Sequence, residues 1–124
     1  RGLNYGWPLV TFGMNYNGTP ISADTAREGL EPPVLHWTPS IAVCGLERYA
    51  GDRFPGWRGD LLVGSLQQEE LRRVDVGADG RAVGAEEVLF RGLGRIRTVQ
   101  EGPDGFVYVG LERPGRVVRL VPAE

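Results

Sequence analysis

The residues whose type and spacing point most directly to chemistry are Arg95 and Arg97, inside the run Gly92-Leu93-Gly94-Arg95-Ile96-Arg97-Thr98-Val99. In an extended strand, positions two apart share a face, so both guanidiniums point one way and Ile96 the other. Two arginines on one strand face are commonly a solvated face. The sharper alternative is a fork for a phosphate or a multi-carboxylate ligand, since guanidinium binds such groups bidentately. The element that must hold them is a hairpin. Gly102-Pro103-Asp104-Gly105 is a tight-turn sequence, with proline setting φ and Asp and Gly tolerating the corner. A second strand, Phe106 to Leu111, follows at once.

Other candidate chemistry is sparse. His36 is the single histidine, in Leu35-His36-Trp37, and reads as structural or surface. Cys44 is the single cysteine, so no intrachain disulfide is possible, and it reads as a small hydrophobe in a strand. No Cys/His cluster has metal-ligand spacing, and no phosphate-cradling G-x-x-x-x-G-K-[ST] occurs. Asp75 and Asp79-Gly80 suggest a calcium loop, but the remaining ligands are missing and a hairpin turn fits better. Glu69-Glu70 and Glu86-Glu87 read as solvated pairs. A net charge of −2 excludes a strong field toward nucleic acid or an anionic membrane. No apolar run is long enough to span a bilayer.

Nineteen glycines and nine prolines in 124 residues suit many short strands joined by turns. Residues 1–33 are turn-rich and irregular, with a helix-like piece from Ala23 to Glu28. The expected strands are Val34 to Trp37, Ile41 to Tyr49, Asp60 to Leu66, Glu70 to Val76 and Val83 to Phe90, then the arginine strand and its hairpin partner. Asp60 to Leu66 is almost wholly apolar, as in a strand covered on both faces. Val63-Gly64 and Val109-Gly110 lie 46 residues apart, as do Arg73-Val74 and Arg119-Leu120. A four-strand unit recurring at roughly 40–50 residues is the signature of a β-propeller blade. The expected organisation is therefore all-β: residues 1–40 an inter-blade loop and preceding strand, 41–91 one four-stranded blade, and 92–124 three strands of the last blade. The start at Arg1-Gly2-Leu3, with no Met and no signal peptide, suggests a segment of a longer chain.

Three runs carry a family likeness when taken in order: Asn4-Tyr5-Gly6-Trp7-Pro8, Asp60-Leu61-Leu62-Val63-Gly64-Ser65-Leu66, and the Gly94-Arg95-Ile96-Arg97-Thr98-Val99 frame followed by Gly102-Pro103-Asp104-Gly105. Together they resemble the C-terminal third of the glucose/sorbosone dehydrogenase family. That resemblance implies a C-terminal segment of a six-bladed β-propeller, with pyrroloquinoline quinone (PQQ) in the central channel and a calcium ion. The implied reaction is oxidation of the C1 hydroxyl of an aldose to a lactone. It further implies that Arg95 and Arg97 contact the carboxylates of the quinone. Gln67 stands where many members carry a lysine that reaches the cofactor; an amide can hydrogen-bond a carboxylate but brings no charge. Tyr5 and Trp7 are the candidates for stacking on a sugar; Trp37 and Trp57 read as packing residues. The histidine base and calcium ligands are expected outside this segment, with a sugar, an electron acceptor and the remaining blades as partners. A periplasmic or secreted location is implied by the family. The alternative is a non-catalytic propeller scaffold that binds a ligand or protein partner, a reading to which the uncharged Gln67 lends itself.

Overall fold

A computed structural model describes residues 2–81 and 83–123. It divides into two units, 2–40 and 41–123. The second holds the seven strands found among the described residues: β1 (Val43–Arg48), β2 (Leu61–Ser65), β3 (Glu70–Val76), β4 (Val83–Arg91), β5 (Arg95–Glu101), β6 (Val107–Glu112) and β7 (Arg116–Leu120). They form a four-stranded sheet of order β1-β2-β3-β4 and a three-stranded sheet of order β5-β6-β7, antiparallel throughout. Strand order that follows sequence order is the meander of a propeller blade. β2 is buried along nearly its whole length, in keeping with its apolar sequence. β4 is the exposed edge strand of its sheet.

The 46-residue repeat maps onto the middle strands. β2 and β6 begin 46 residues apart, and so do β3 and β7. The first strands β1 and β5 break the spacing, because twelve residues separate β1 from β2 and only five separate β5 from β6. The core joins the two sheets: Leu62, Leu71, Ile96, Val107 and Val109 are fully buried or nearly so, with Tyr49 and Phe54 from the long β1–β2 loop. Trp57 stacks on Phe54 with centroids 4.3 Å apart, and Tyr49 meets both rings edge-on.

Glycine permits the close approach of the sheets at one point. Gly45 has φ 81°, and a Cβ there would lie 2.9 Å from the Val99 nitrogen. At Gly64 a Cβ would run into the Cys44 carbonyl oxygen and Ile96 Cγ2. Neither position has room for a side chain without moving backbone.

The long β1–β2 loop is tied to the end of β5 and the Gly102–Gly105 turn by a phenol, a carboxylate and the Arg53 guanidinium, which donates from Nε to the Asp104 carbonyl at 3.0 Å. Buried Tyr49 donates its hydroxyl to the Gly105 carbonyl at 2.8 Å and accepts from the N–H groups of Arg53 at 3.0 Å and Phe54 at 3.2 Å. Glu101 Oε2 accepts from the N–H groups of Ala50 and Gly51 at 2.8 and 3.0 Å. Tyr49→Phe strands two donors and an acceptor in a buried place and should cost about 2 kcal/mol. The check is amide hydrogen exchange of Arg53 and Phe54 in the full-length protein. Exchange as slow as in the wild type would show that the hydroxyl does not hold the loop.

Three expectations are corrected. Val34 to Trp37 forms no strand; the flanking Pro32-Pro33 and Pro39 remove ladder donors. Ala23 to Glu28 forms no helix. It is too short to repay nucleation, and its polar groups make local turn contacts instead, Asp24 N–H to Ser22 Oγ and Arg27 to Asp24. The acidic pairs are not simply solvated. Glu70 is fully buried, and Glu86 and Glu87 lie across from β3, where they meet Arg72 and Arg73.

Candidate functional site

Arg95 and Arg97 lie at the start of β5, and the structure brings both to a single carboxylate. Arg97 donates from Nε to Glu112 Oε2 at 2.7 Å, and an Arg95 Nη1 stands 3.8 Å from the same oxygen. Arg113, in the turn after β6, approaches the other oxygen at 4.0 Å. The three guanidiniums thus surround one acid, and the cluster keeps a surplus of positive charge. The hydrogen bond from Arg97 holds the Glu112 carboxyl below its usual range, with the charges of Arg95 and Arg113 adding to it, while the same bond raises Arg97.

The geometry comes from register and a bulge. Arg95 pairs directly with Glu112 across the β5–β6 ladder. Leu111 is buried, so the next residue, Glu112, turns its side chain to the other face. Between Ile96 and Thr98 the register slips by one residue, leaving Arg97 as the extra one. A bulge bends the strand and re-aims a side chain. It also changes the phase: Ile96 and Val99, three apart, are both buried, where simple alternation would set Val99 on the arginine face. Cys44, half-buried on β1, donates its thiol to the Arg97 carbonyl at 3.3 Å, so the bulge is braced from the neighbouring sheet.

Gln67 is exposed in the turn between β2 and β3, and its backbone N–H donates to the Ile41 carbonyl at 3.2 Å. This turn follows the end of β2, which packs at Gly64 against Ile96 near the start of β5. Gln67 is therefore at the same end of its sheet as Arg95 is of its own. Tyr5 and Trp7 are exposed, in the 2–40 unit, where Asn4 Oδ1 accepts from the Gly6 N–H and the Asn4 carbonyl from the Glu31 N–H. His36, in the same unit, stacks on Phe12 with centroids 3.7 Å apart and shares a 3.2 Å contact with Thr38 Oγ1. Asp79 caps a hairpin turn by accepting from the Arg81 N–H. Among the described residues no group of three or more His, Cys, Asp or Glu side chains is assembled to hold a metal ion. Nor is any helix among the described residues long and apolar enough to cross a membrane.

Sequence reasoning missed Glu112. Its one signal was position: Glu112 ends the hairpin strand opposite the first arginine, and pairing the strands about Gly102-Pro103-Asp104-Gly105 sets the two across from each other.

With this arrangement in view, comparison with known proteins is specific. The chain is 38% identical over 125 residues to the aldose sugar dehydrogenase YliI of Escherichia coli K12, covering 98% of this chain and 33% of that protein. It is 36% identical over 122 residues to the uncharacterized protein slr1608 of Synechocystis, covering 97% of this chain and 29% of that one. The chain thus spans about a third of the length of the curated relatives it matches. A solved glucose dehydrogenase superposes with a TM-score of 0.86 at 40% identity, over 99% of this chain and 36% of that one. The apo form of the soluble E. coli aldose sugar dehydrogenase superposes with a TM-score of 0.80 at 35% identity, over 99% and 36%. These are β-propeller proteins, and the two sheets here are blades of that fold. The family model for glucose/sorbosone dehydrogenases matches residues 1–119, nearly the whole sequence, and the chain belongs to that family.

Proposed function

We propose that this chain is the segment of a PQQ-dependent aldose dehydrogenase that supplies the arginine fork, Arg95 and Arg97, to the carboxylates of the quinone. The observation that carries this reading is the convergence of both guanidiniums on one carboxylate, Glu112, at the start of β5. Such a donor set fits a planar polycarboxylate: it already accommodates a carboxylate and retains net positive charge. Arg95 and Arg97 bind and orient the cofactor, and Gln67, an uncharged donor at the same end of its sheet, adds at most a hydrogen bond that brings no charge of its own. Held by Arg95 and Arg97, the quinone would supply the two-electron oxidising capacity for conversion of an aldose C1 hydroxyl to a lactone, with calcium as a Lewis acid. The general base and the calcium ligands belong to other parts of the full-length protein, whose remaining blades enclose the channel. His36 is not that base in this reading, because its ring is stacked on Phe12. Tyr5 and Trp7 remain the sugar-contact candidates of this segment, and a periplasmic or secreted setting accords with the reading. An electron acceptor for the reduced cofactor completes the partner set.

The test is absorbance titration of the full-length protein with PQQ in the presence of calcium. Stoichiometric, saturable binding supports the reading and shows that glutamine at position 67 is tolerated. Absence of binding overturns it and favours a propeller scaffold without a cofactor.

A further inference from the structure

We infer that Glu112 is a positioning residue: it holds Arg95 and Arg97 in the orientation in which they receive an anionic ligand. This rests on the reading of those arginines as ligand donors. Arg97 is the extra residue of a bulge, so the regular ladder does not set its direction, and its side chain is 51% exposed. A long side chain in that situation samples many rotamers and must be ordered when a ligand binds. Glu112 removes much of that freedom beforehand. It is itself fixed by the burial of Leu111 beside it and by its register opposite Arg95. It engages Arg97 through Nε, so the contact does not consume the two Nη groups, which carry four of the five guanidinium donors. One oxygen serves both arginines, which couples their positions.

Glu112 also acts in the opposite sense, because its negative charge repels a polycarboxylate. The two roles separate by substitution. Glu112→Gln keeps an oxygen acceptor for Arg97 and removes the charge; Glu112→Ala removes both. If positioning dominates, alanine weakens PQQ binding by the full-length protein about five- to tenfold, the ordering cost of freeing two long side chains. Glutamine then restores wild-type affinity or exceeds it. If Glu112 were only a competitor for the arginines, both variants would bind more tightly, and that result overturns the inference. Unchanged affinity in the alanine variant also overturns it. Glu112→Val, a stronger strand former, replaces alanine should that variant not fold.

A readout without ligand accompanies the titration: the water-exchange rate of the Arg97 Nε–H, followed by nitrogen-15 NMR. The proton should exchange slowly in the wild type and in Glu112→Gln, and fast in Glu112→Ala. Equal rates in all three would overturn the inference while leaving quinone binding intact. A wild type that binds no quinone overturns the cofactor reading and the positioning role together, so the two failures are distinguishable.

Discussion

Replacing both Arg95 and Arg97 with alanine is expected to weaken PQQ binding by the full-length protein by at least about 100-fold. A hydrogen bond to a charged group contributes about 1.5–3 kcal/mol, and two such losses correspond to roughly two to four orders of magnitude in affinity. The two arginines share one oxygen of Glu112, so their contributions should not be additive. Removing one also takes away a contact that fixes the Glu112 carboxylate, so the remaining arginine is held less firmly for the ligand. Each single variant should therefore lose more than half of the double variant's free energy. Absorbance titration of the four proteins in a double-mutant cycle checks both points. A double variant within threefold of the wild type would remove the arginine fork from the cofactor site. Because the interaction is ionic, the wild-type affinity should also fall as salt rises, and the double variant should show a shallower dependence.

The second large effect concerns stability, and it lies at Glu70. This carboxylate is fully buried and accepts from Arg72 Nε at 2.5 Å, and from Arg91 Nη2 and Nε at 2.6 and 2.9 Å. Burial pushes its carboxyl up, but the hydrogen bonds and charges of the two arginines outweigh that and leave it below the usual range. Breaking a buried pair by removing one partner costs about 3–5 kcal/mol. Here the low end applies, since the Arg91 side chain is 61% exposed and can return to water, and Arg72 keeps Glu86. Glu70→Ala should thus destabilise by about 3 kcal/mol. The clamp joins the start of β3 to the end of β4, so the loss should register there first, as faster hydrogen exchange in those two strands than in β5–β7. Uniform acceleration across both sheets would contradict a local clamp.

The same site gives a pH dependence of defined sign. Glu70 titrates lower in the folded chain than in the unfolded one, so the folded state binds fewer protons in the interval between the two values. Its stabilisation is fully present above the ordinary glutamate range and is lost as pH falls through that range toward the folded value. Glu70→Gln should flatten the acid limb of the denaturation profile. A variant that loses stability on acidification as steeply as the wild type would show that other carboxylates set that limb.

Much of the scaffold was legible because it depends on local chemistry. The apolar run Leu61 to Ser65 could only be a covered strand, and Gly102-Pro103-Asp104-Gly105 only a turn, with Gly105 N–H returning to the Gly102 carbonyl at 2.9 Å. The Val63-Gly64 and Val109-Gly110 repeat carried more than periodicity. Both glycines lie beside an irregularity in the strand they pair with, between Val43 and Leu46 in β1 and between Ile96 and Thr98 in β5. A glycine in a strand interior is the local mark of such a place, but it does not say which partner residue is displaced. For that reason the phase change after Ile96, which sends Val99 into the core, could not be read from alternation.

The acidic pairs show the other limit. Glu69-Glu70 and Glu86-Glu87 are alike as dipeptides, yet Glu70 is buried and Glu87 is exposed beside Arg73. Whether a carboxylate can be buried depends on cations delivered by other strands, and Arg91 reaches Glu70 from 21 residues away.

By itself the sequence determined the strand-rich class, most strand and turn positions in residues 41–123, the family, and the arginine pair as the place to look for anion chemistry. The class and the strand and turn positions follow from side-chain periodicity and the backbone preferences of Gly and Pro, which act over a few positions; the arginine pair follows from residue type and spacing, and the family from the resemblance of its motifs. Only the tertiary structure decided that Arg97 is a bulged residue, that both arginines meet on Glu112, that the Cys44 thiol braces the bulge, and that Glu70 is an internal counterion. Each of these depends on cross-strand register and on the close approach of two sheets at Gly45 and Gly64, and register is a property of paired strands rather than of either strand alone.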